Sequence, residues 1–182
     1  MSMHKSIAGA ALASVLLAAC ATGTDTTTPV PARGPNLGSA PSAAMLAAMD
    51  ISIPPSGAGL PAGGADARAG AKVYAAKCAS CHGPKGEGKP ADRLVGGIGT
   101  LTKERTRTVG SYWPYATTLF DYTRRAMPTT QPMSLSNEEV YGVTAFVLFL
   151  NGIVKEDEVM DAQSLPRVRM PNRDGFIDYS KK

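Results

Sequence analysis

Cys78-Ala79-Ser80-Cys81-His82 is the stretch on which the reading of this 182-residue chain turns. Two thiols three positions apart can each form a thioether to a vinyl group of one haem. The adjacent histidine is then carried beneath the ring, where it can ligate the iron, and the pattern is that of covalent c-type haem attachment. Two other readings use the same letters. Half of a zinc site would need two further ligands, but the only other histidine is His4 and the only other cysteine is Cys20, both near the N-terminus. A redox Cys-x-x-Cys would want β-α-β surroundings, and no run of this chain alternates as a strand would.

Outward from the motif the pattern is helical. Asp66 to Lys77 reads as a helix, with Asp66 as N-cap and with Gly70 and Tyr74 sharing a face. Gly83, Pro84, Gly86 and Gly88 then end regular structure. Farther on, Ser136-Asn137-Glu138-Glu139 is a capping box. Behind it Val140, Val143, Thr144, Val147 and Leu150 share a face that Tyr141, Phe146 and Phe149 broaden, and Gly152 supplies the stop. Between the two, Pro114 suits a first helical turn and Tyr115 to Arg125 forms a third amphipathic segment. These readings predict an all-α domain over residues 65–160, built of several short helices and glycine-rich loops.

Gly70, Tyr74, the Cys-x-x-Cys-His motif and the capped Asn137–Asn151 segment together resemble the class I cytochrome c fold. The resemblance implies one covalent haem c on Cys78 and Cys81, with His82 as an axial ligand. It also implies that the first and last helices cross, with Gly70 permitting their close approach. The family's sixth ligand is a methionine, usually in a Met-Pro pair before the last helix. Ala126-Met127-Pro128 fits that pattern, and Met133, in Gln131-Pro132-Met133, is the alternative. No second histidine exists beyond His4. His/Met ligation raises the reduction potential and closes the iron to outside ligands, which suits electron transfer.

Tyr112 and Trp113 carry donors that can reach a haem propionate, or they are core aromatics with satisfied polar tips. Arg93, Arg105 and Arg107 are either propionate partners or solvated cations. One departure from the family matters. The Gly-Pro whose carbonyl orients the haem histidine is replaced by Arg93-Leu94-Val95-Gly96-Gly97, so another carbonyl, that of Leu94, is expected to hold the His82 ring.

A narrower resemblance rests on Gly110-Ser111-Tyr112-Trp113-Pro114-Tyr115-Ala116-Thr117-Thr118, Arg124-Arg125-Ala126-Met127-Pro128, Glu139-Val140-Tyr141, Leu150-Asn151-Gly152 and Met170-Pro171-Asn172-Arg173-Asp174. These strings are similar to the cytochrome subunits of bacterial sulfite and sulfane dehydrogenases. The resemblance implies electron acceptance from a molybdenum-cofactor subunit, with no catalytic residue in this chain, and delivery to a downstream cytochrome or terminal oxidase. An independent membrane-tethered shuttle and a haem ligand-binding or sensor module are the alternatives. Lys72, Lys77, Lys85 and Lys89 surround the motif and offer an acidic partner a basic face, or are simply solvated.

The ends of the chain read differently. Residues 1–19 combine a short basic start with the apolar run Ile7–Ala18, too short to span a bilayer, and read as a signal peptide. Leu17-Ala18-Ala19-Cys20 resembles a bacterial lipobox, which implies lipid on Cys20 and attachment to the periplasmic face of a membrane, the outer membrane rather than the inner because Ala21 and not Asp follows. The other reading is ordinary cleavage that leaves Cys20 a spare thiol. From residue 20 to 64 the chain carries half of its 14 prolines and no aromatic residue. It reads as a flexible tether, relieved only by helical spacing at Met45, Leu46 and Met49. Residues 161–182 read as an extended arm, lying on its own domain or on a partner. A formal charge of +4 with no long basic run excludes a nucleic-acid-binding arm.

Overall fold

The central helix begins at a reciprocal cap. In the computed structural model, Ser136 Oγ accepts from the Glu139 N–H at 3.2 Å and Glu139 Oε2 accepts from the Ser136 N–H at 2.9 Å. This is the capping box expected from the sequence, and the helix that follows runs Asn137–Leu150. The structure describes residues 38–104, 106–177 and 179–181.

In chain order the elements are α1 (Ala43–Met49), β1 (Gly64–Ala65), α2 (Ala67–Lys77), α3 (Ala79–His82), α4 (Ala116–Ala126), α5 (Asn137–Leu150) and β2 (Met160–Asp161). Short 3₁₀ turns follow at Leu165–Arg167 and Tyr179–Lys181. Residues 1–42 separate as a unit of their own, described only from residue 38. The expected signal peptide, Cys20 and the first part of the tether lie outside the described residues. No helix among those described is long and apolar enough to cross a membrane.

α5 is central and packs against α2, α4 and both strands. Asp66 caps α2 as expected, with Oδ1 accepting from the Ala69 N–H at 2.9 Å. Tyr74, Phe120, Tyr141, Val140 and Leu148 are fully buried among these helices. The Phe120 and Tyr141 rings lie 4.5 Å apart and the Tyr74 and Phe146 rings 5.1 Å apart. Each buried side chain of this size contributes about 1.5–3 kcal/mol over its exposed state. Pro114 sits just before α4 rather than in its first turn, because Tyr115 is the extended N-cap residue.

Two segments depart from the sequence reading. Residues 51–64, assigned to the flexible tether, form a strap across α4 and α5. Ile53 is buried, and its N–H donates to Asp121 Oδ1 at 2.8 Å. The Tyr141 hydroxyl donates to the Pro61 carbonyl at 2.9 Å, and Thr117 Oγ1 donates to that of Pro55 at 3.3 Å. A proline-rich segment makes few backbone bonds of its own, so side chains of the two helices take its carbonyls instead. The strap ends in β1, which pairs antiparallel with β2, Gly64 opposite Asp161 and Ala65 opposite Met160. This small ladder also corrects the expectation of no strand.

The C-terminal arm lies on its own domain over its first half. Leu165 and Met170 are buried in the core, and Asn172 Nδ2 donates to the Tyr112 carbonyl at 2.8 Å. Beyond that anchor, Phe176 and Ile177 stand exposed. α1 is exposed along its whole length.

Candidate functional site

Cys78 ends α2, and α3 is a single further turn in which the amides of Cys81 and His82 both donate to the Cys78 carbonyl. That turn brings both thiols and the imidazole to one wall of a cavity of about 400 Å³. Gly83 then turns the chain at φ +79°, a conformation open to glycine without strain. Its carbonyl accepts from the buried Tyr74 hydroxyl at 3.0 Å. Burial pushes the Tyr74 phenol up to about 12, so it stays a donor at neutral pH.

The loop after Gly83 folds back on the motif. Gly88 donates to the His82 carbonyl at 2.7 Å and Ala91 to the Cys81 carbonyl at 2.9 Å. This return sets the Asp92 carbonyl 2.7 Å from His82 Nδ1. A carbonyl only accepts, so Nδ1 carries the proton and Nε2 is left as a bare donor for a metal. The expectation that Leu94 does this is corrected. The Leu94 carbonyl instead accepts from the Val109 N–H at 3.2 Å and from Asn151 Nδ2 at 3.3 Å.

Another part of the lining comes from the end of α4. Pro128 cannot continue a helix and forces the residue before it into extended backbone. Met127 is that residue, at φ −118° and ψ 145°, and its side chain joins the cavity lining together with Pro128, Thr129 and Thr130. Met133, the alternative, is 66% exposed and outside the lining. Leu119, Val143 and Val147 close the cavity with apolar surface.

Trp113 lines the cavity, and its ring meets Tyr122 edge-on at 5.8 Å. Tyr112 does not line it. Its ring lies under the Arg107 guanidinium at 5.0 Å and meets Phe176 at 5.2 Å. Arg93 and Arg107 both reach the lining, while Arg105 lies outside the described residues. Of the lysines around the motif, Lys77 also lines the cavity and pairs with Glu139 at 2.8 Å, and Lys72, Lys85 and Lys89 are exposed.

Asn151 escaped the sequence reading as a site residue. It is buried at the end of α5, accepts from the Gly96 N–H at 2.9 Å and donates to the carbonyls of Leu94 and Val147. It thereby sews the loop that carries Arg93 and Leu94 to the last helix. The one signal in the sequence was an amide four residues beyond Val147, where an apolar face would otherwise continue.

The donor set fits a haem of the c type. Two thiols share one helical turn, the imidazole has its proton fixed away from Nε2, a thioether stands on another wall, and the space among them is mostly apolar. Burial pushes the Cys78 thiol up to about 11, and as a thioether the side chain would bring no charge into the wall.

Comparison with known proteins agrees with this geometry. The family model described as cytochrome C oxidase, cbb3-type, subunit III matches residues 65–147, which span the motif and Met127. Among solved structures, a chain in the sulfane dehydrogenase SoxCD from Paracoccus pantotrophus is 38% identical with a TM-score of 0.74. The match covers 82% of the present chain and 75% of that one. No curated protein sequence matches the chain.

Proposed function

Because the chain belongs to the c-type cytochromes, we propose that it is a monohaem electron carrier whose haem would be held by thioethers from Cys78 and Cys81 and ligated by His82 and Met127. It has the class I cytochrome c fold and serves electron transfer, and its likeness to a sulfane dehydrogenase chain links it to sulfur oxidation. The observation that carries the ligand reading is the gathering of Cys78, Cys81, His82 and Met127 on one cavity, with Met133 left outside it.

When bound, the haem supplies one-electron redox chemistry. The protein's residues do the rest. The Asp92 carbonyl fixes the His82 tautomer, and Pro128 holds Met127 at the end of α4. Leu119, Val143 and Val147 give the cavity apolar wall that would shield the ring from water and, with methionine ligation, would favour the reduced state.

In this reading the carrier accepts electrons from a periplasmic, molybdenum-dependent sulfite or sulfane dehydrogenase subunit and passes them to a downstream cytochrome or terminal oxidase. The chemistry on sulfur belongs to the other subunit. Lipid on Cys20 holds the carrier to the periplasmic face of a membrane, the outer one by the residue that follows Cys20.

The test is haem reduction in an anaerobic native membrane extract given sulfite or, separately, thiosulfate. Reduction that follows this protein through its purification supports the dehydrogenase partnership. Reduction by dithionite alone moves the assignment to a shuttle between other partners. A Cys20→Ala variant that stays in the membrane fraction overturns the lipid anchor.

A further inference from the structure

Tyr112, which one sequence reading put at the redox cavity, is not in its wall, yet it touches Arg107, which is. On one side the Arg107 guanidinium lies 5.0 Å from its ring centre, and Arg107 lines the cavity. On the other side the ring meets Phe176 of the C-terminal arm edge-on at 5.2 Å. The arm also holds the Tyr112 backbone, through Asn172 Nδ2 donating to its carbonyl at 2.8 Å. One aromatic ring is therefore clamped between the arm and a cation at the cavity.

An arginine side chain has many rotamers and little reason to stay at a cavity edge when it is exposed, as Arg107 is. A ring face beneath it attracts the cation and biases the rotamer toward the cavity edge. Thr108 and Asn172 hold the Tyr112 backbone, and Phe176 of the arm meets the ring itself.

We propose that the C-terminal arm is a positioning element for the redox cavity, holding the Arg107 cation at its edge through the Tyr112 ring. The proposal rests on the cavity holding haem. Reduction adds an electron, so a fixed positive charge nearby stabilises the reduced state and raises the midpoint potential. Because Arg107 is exposed, the effect weakens as salt is added. Phe176 is 52% exposed, so the arm keeps an outer edge open while its inner edge sets the cation.

The experiment is a redox titration of the haem-loaded full chain at low salt, for the wild type, Arg107→Gln, Tyr112→Phe, Phe176→Ala and the double variant Arg107→Gln/Phe176→Ala. Arg107→Gln is expected to lower the midpoint potential. Phe176→Ala lowers it by part of that shift and has no further effect once Arg107 is gone. Tyr112→Phe keeps the ring and keeps the wild-type potential, whereas a hydroxyl bonded directly to the haem would show as a drop. Both downward shifts shrink at high salt. A drop with Tyr112→Phe overturns the proposal, as does a Phe176→Ala shift that persists undiminished without Arg107, or no shift from Phe176→Ala or from Arg107→Gln. Phe176 lies at the surface, so its variant tests the coupling without removing core. Failure of the haem reading is distinct: the purified chain would carry no covalent haem under denaturing conditions, and the proposal would fall with it.

Discussion

Gly70 of α2 and Gly142 of α5 meet backbone to backbone, and a Cβ added to Gly70 would fall on the Gly142 carbonyl. This contact sets how closely the helix before the haem motif approaches the helix behind it. The first prediction follows from it. Ala at position 70 gains about 1 kcal/mol of helix propensity, but the obstacle is backbone, which cannot rotate aside. Forced separation of two packed helices costs about 1–3 kcal/mol, so Gly70→Ala should be a net loss and Gly70→Val a larger one. Urea unfolding of the haem-loaded protein measures this as a lower midpoint with an unchanged slope. A midpoint at or above wild type would show that the crossing tolerates more distance than the packing implies.

The parts of this arrangement that were legible in the sequence are local ones. The haem motif, the Asp66 cap and the Ser136–Glu139 box each act within five residues, so their spacing states their geometry. Gly70 could be placed at a crossing by resemblance. The strap could not be read, because its partners are distant: Ile53 is 68 positions from Asp121, and Pro61 is 80 from Tyr141. Composition sees the prolines of such a segment and not the donors that wait for its carbonyls. The carbonyl that orients His82 was misplaced for a related reason. Gly83, Gly86 and Gly88 all take positive φ, and a loop with that many reversals cannot be counted in helical or extended steps. Asp92 arrives where Leu94 was expected. Tyr112 and Trp113 are neighbours in sequence, but only the fold shows that one faces the cavity and the other the arm.

The two methionines give the second prediction. Met127 lines the cavity and Met133 is exposed. Met127→Ala should open the sixth position, so that the reduced protein binds carbon monoxide promptly and its potential falls. Met133→Ala should leave the spectra and the potential unchanged and alter stability by less than about 0.5 kcal/mol. The reverse pattern would transfer the ligand to Met133.

Asn151 carries the third. Its amide makes three bonds that join the loop around Leu94 and Gly96 to the end of α5. Asn151→Ala leaves the half-buried Gly96 N–H without its acceptor, a loss of about 1–3 kcal/mol. The loop that carries the Asp92 carbonyl should loosen with it. Amide hydrogen exchange should then speed up from Ala91 to Gly97 more than in α2. Uniform acceleration would mean that Asn151 serves global stability and not this loop.

The last prediction concerns acid, and Asp121 decides its sign. Burial alone would push the Asp121 carboxyl up. Its bonds to Arg125 and to the Ile53 N–H outweigh that, and hold the carboxyl below its ordinary value. The folded protein therefore binds this proton less readily than the unfolded chain. The resulting stability is present above the unfolded-state value near 3.8 and is lost as pH falls through the lower folded value. Glu139, drawn down by Lys77, and Asp161, drawn down by the amides of Ser164 and Gln163, act in the same direction. Stability should thus be flat at neutral pH and decline below about pH 5. Asp121→Ala removes one share of that decline and leaves the Ile53 N–H without its acceptor, a cost of about 1–3 kcal/mol at pH 7. The strap should loosen first, seen as faster proteolysis between residues 51 and 64 while the haem spectrum is retained. A deficit against wild type that narrows as pH falls through the acid range would place the acid sensitivity of the strap on this carboxylate. A deficit that stays constant with pH would assign the loss to the missing side chain and not to its charge.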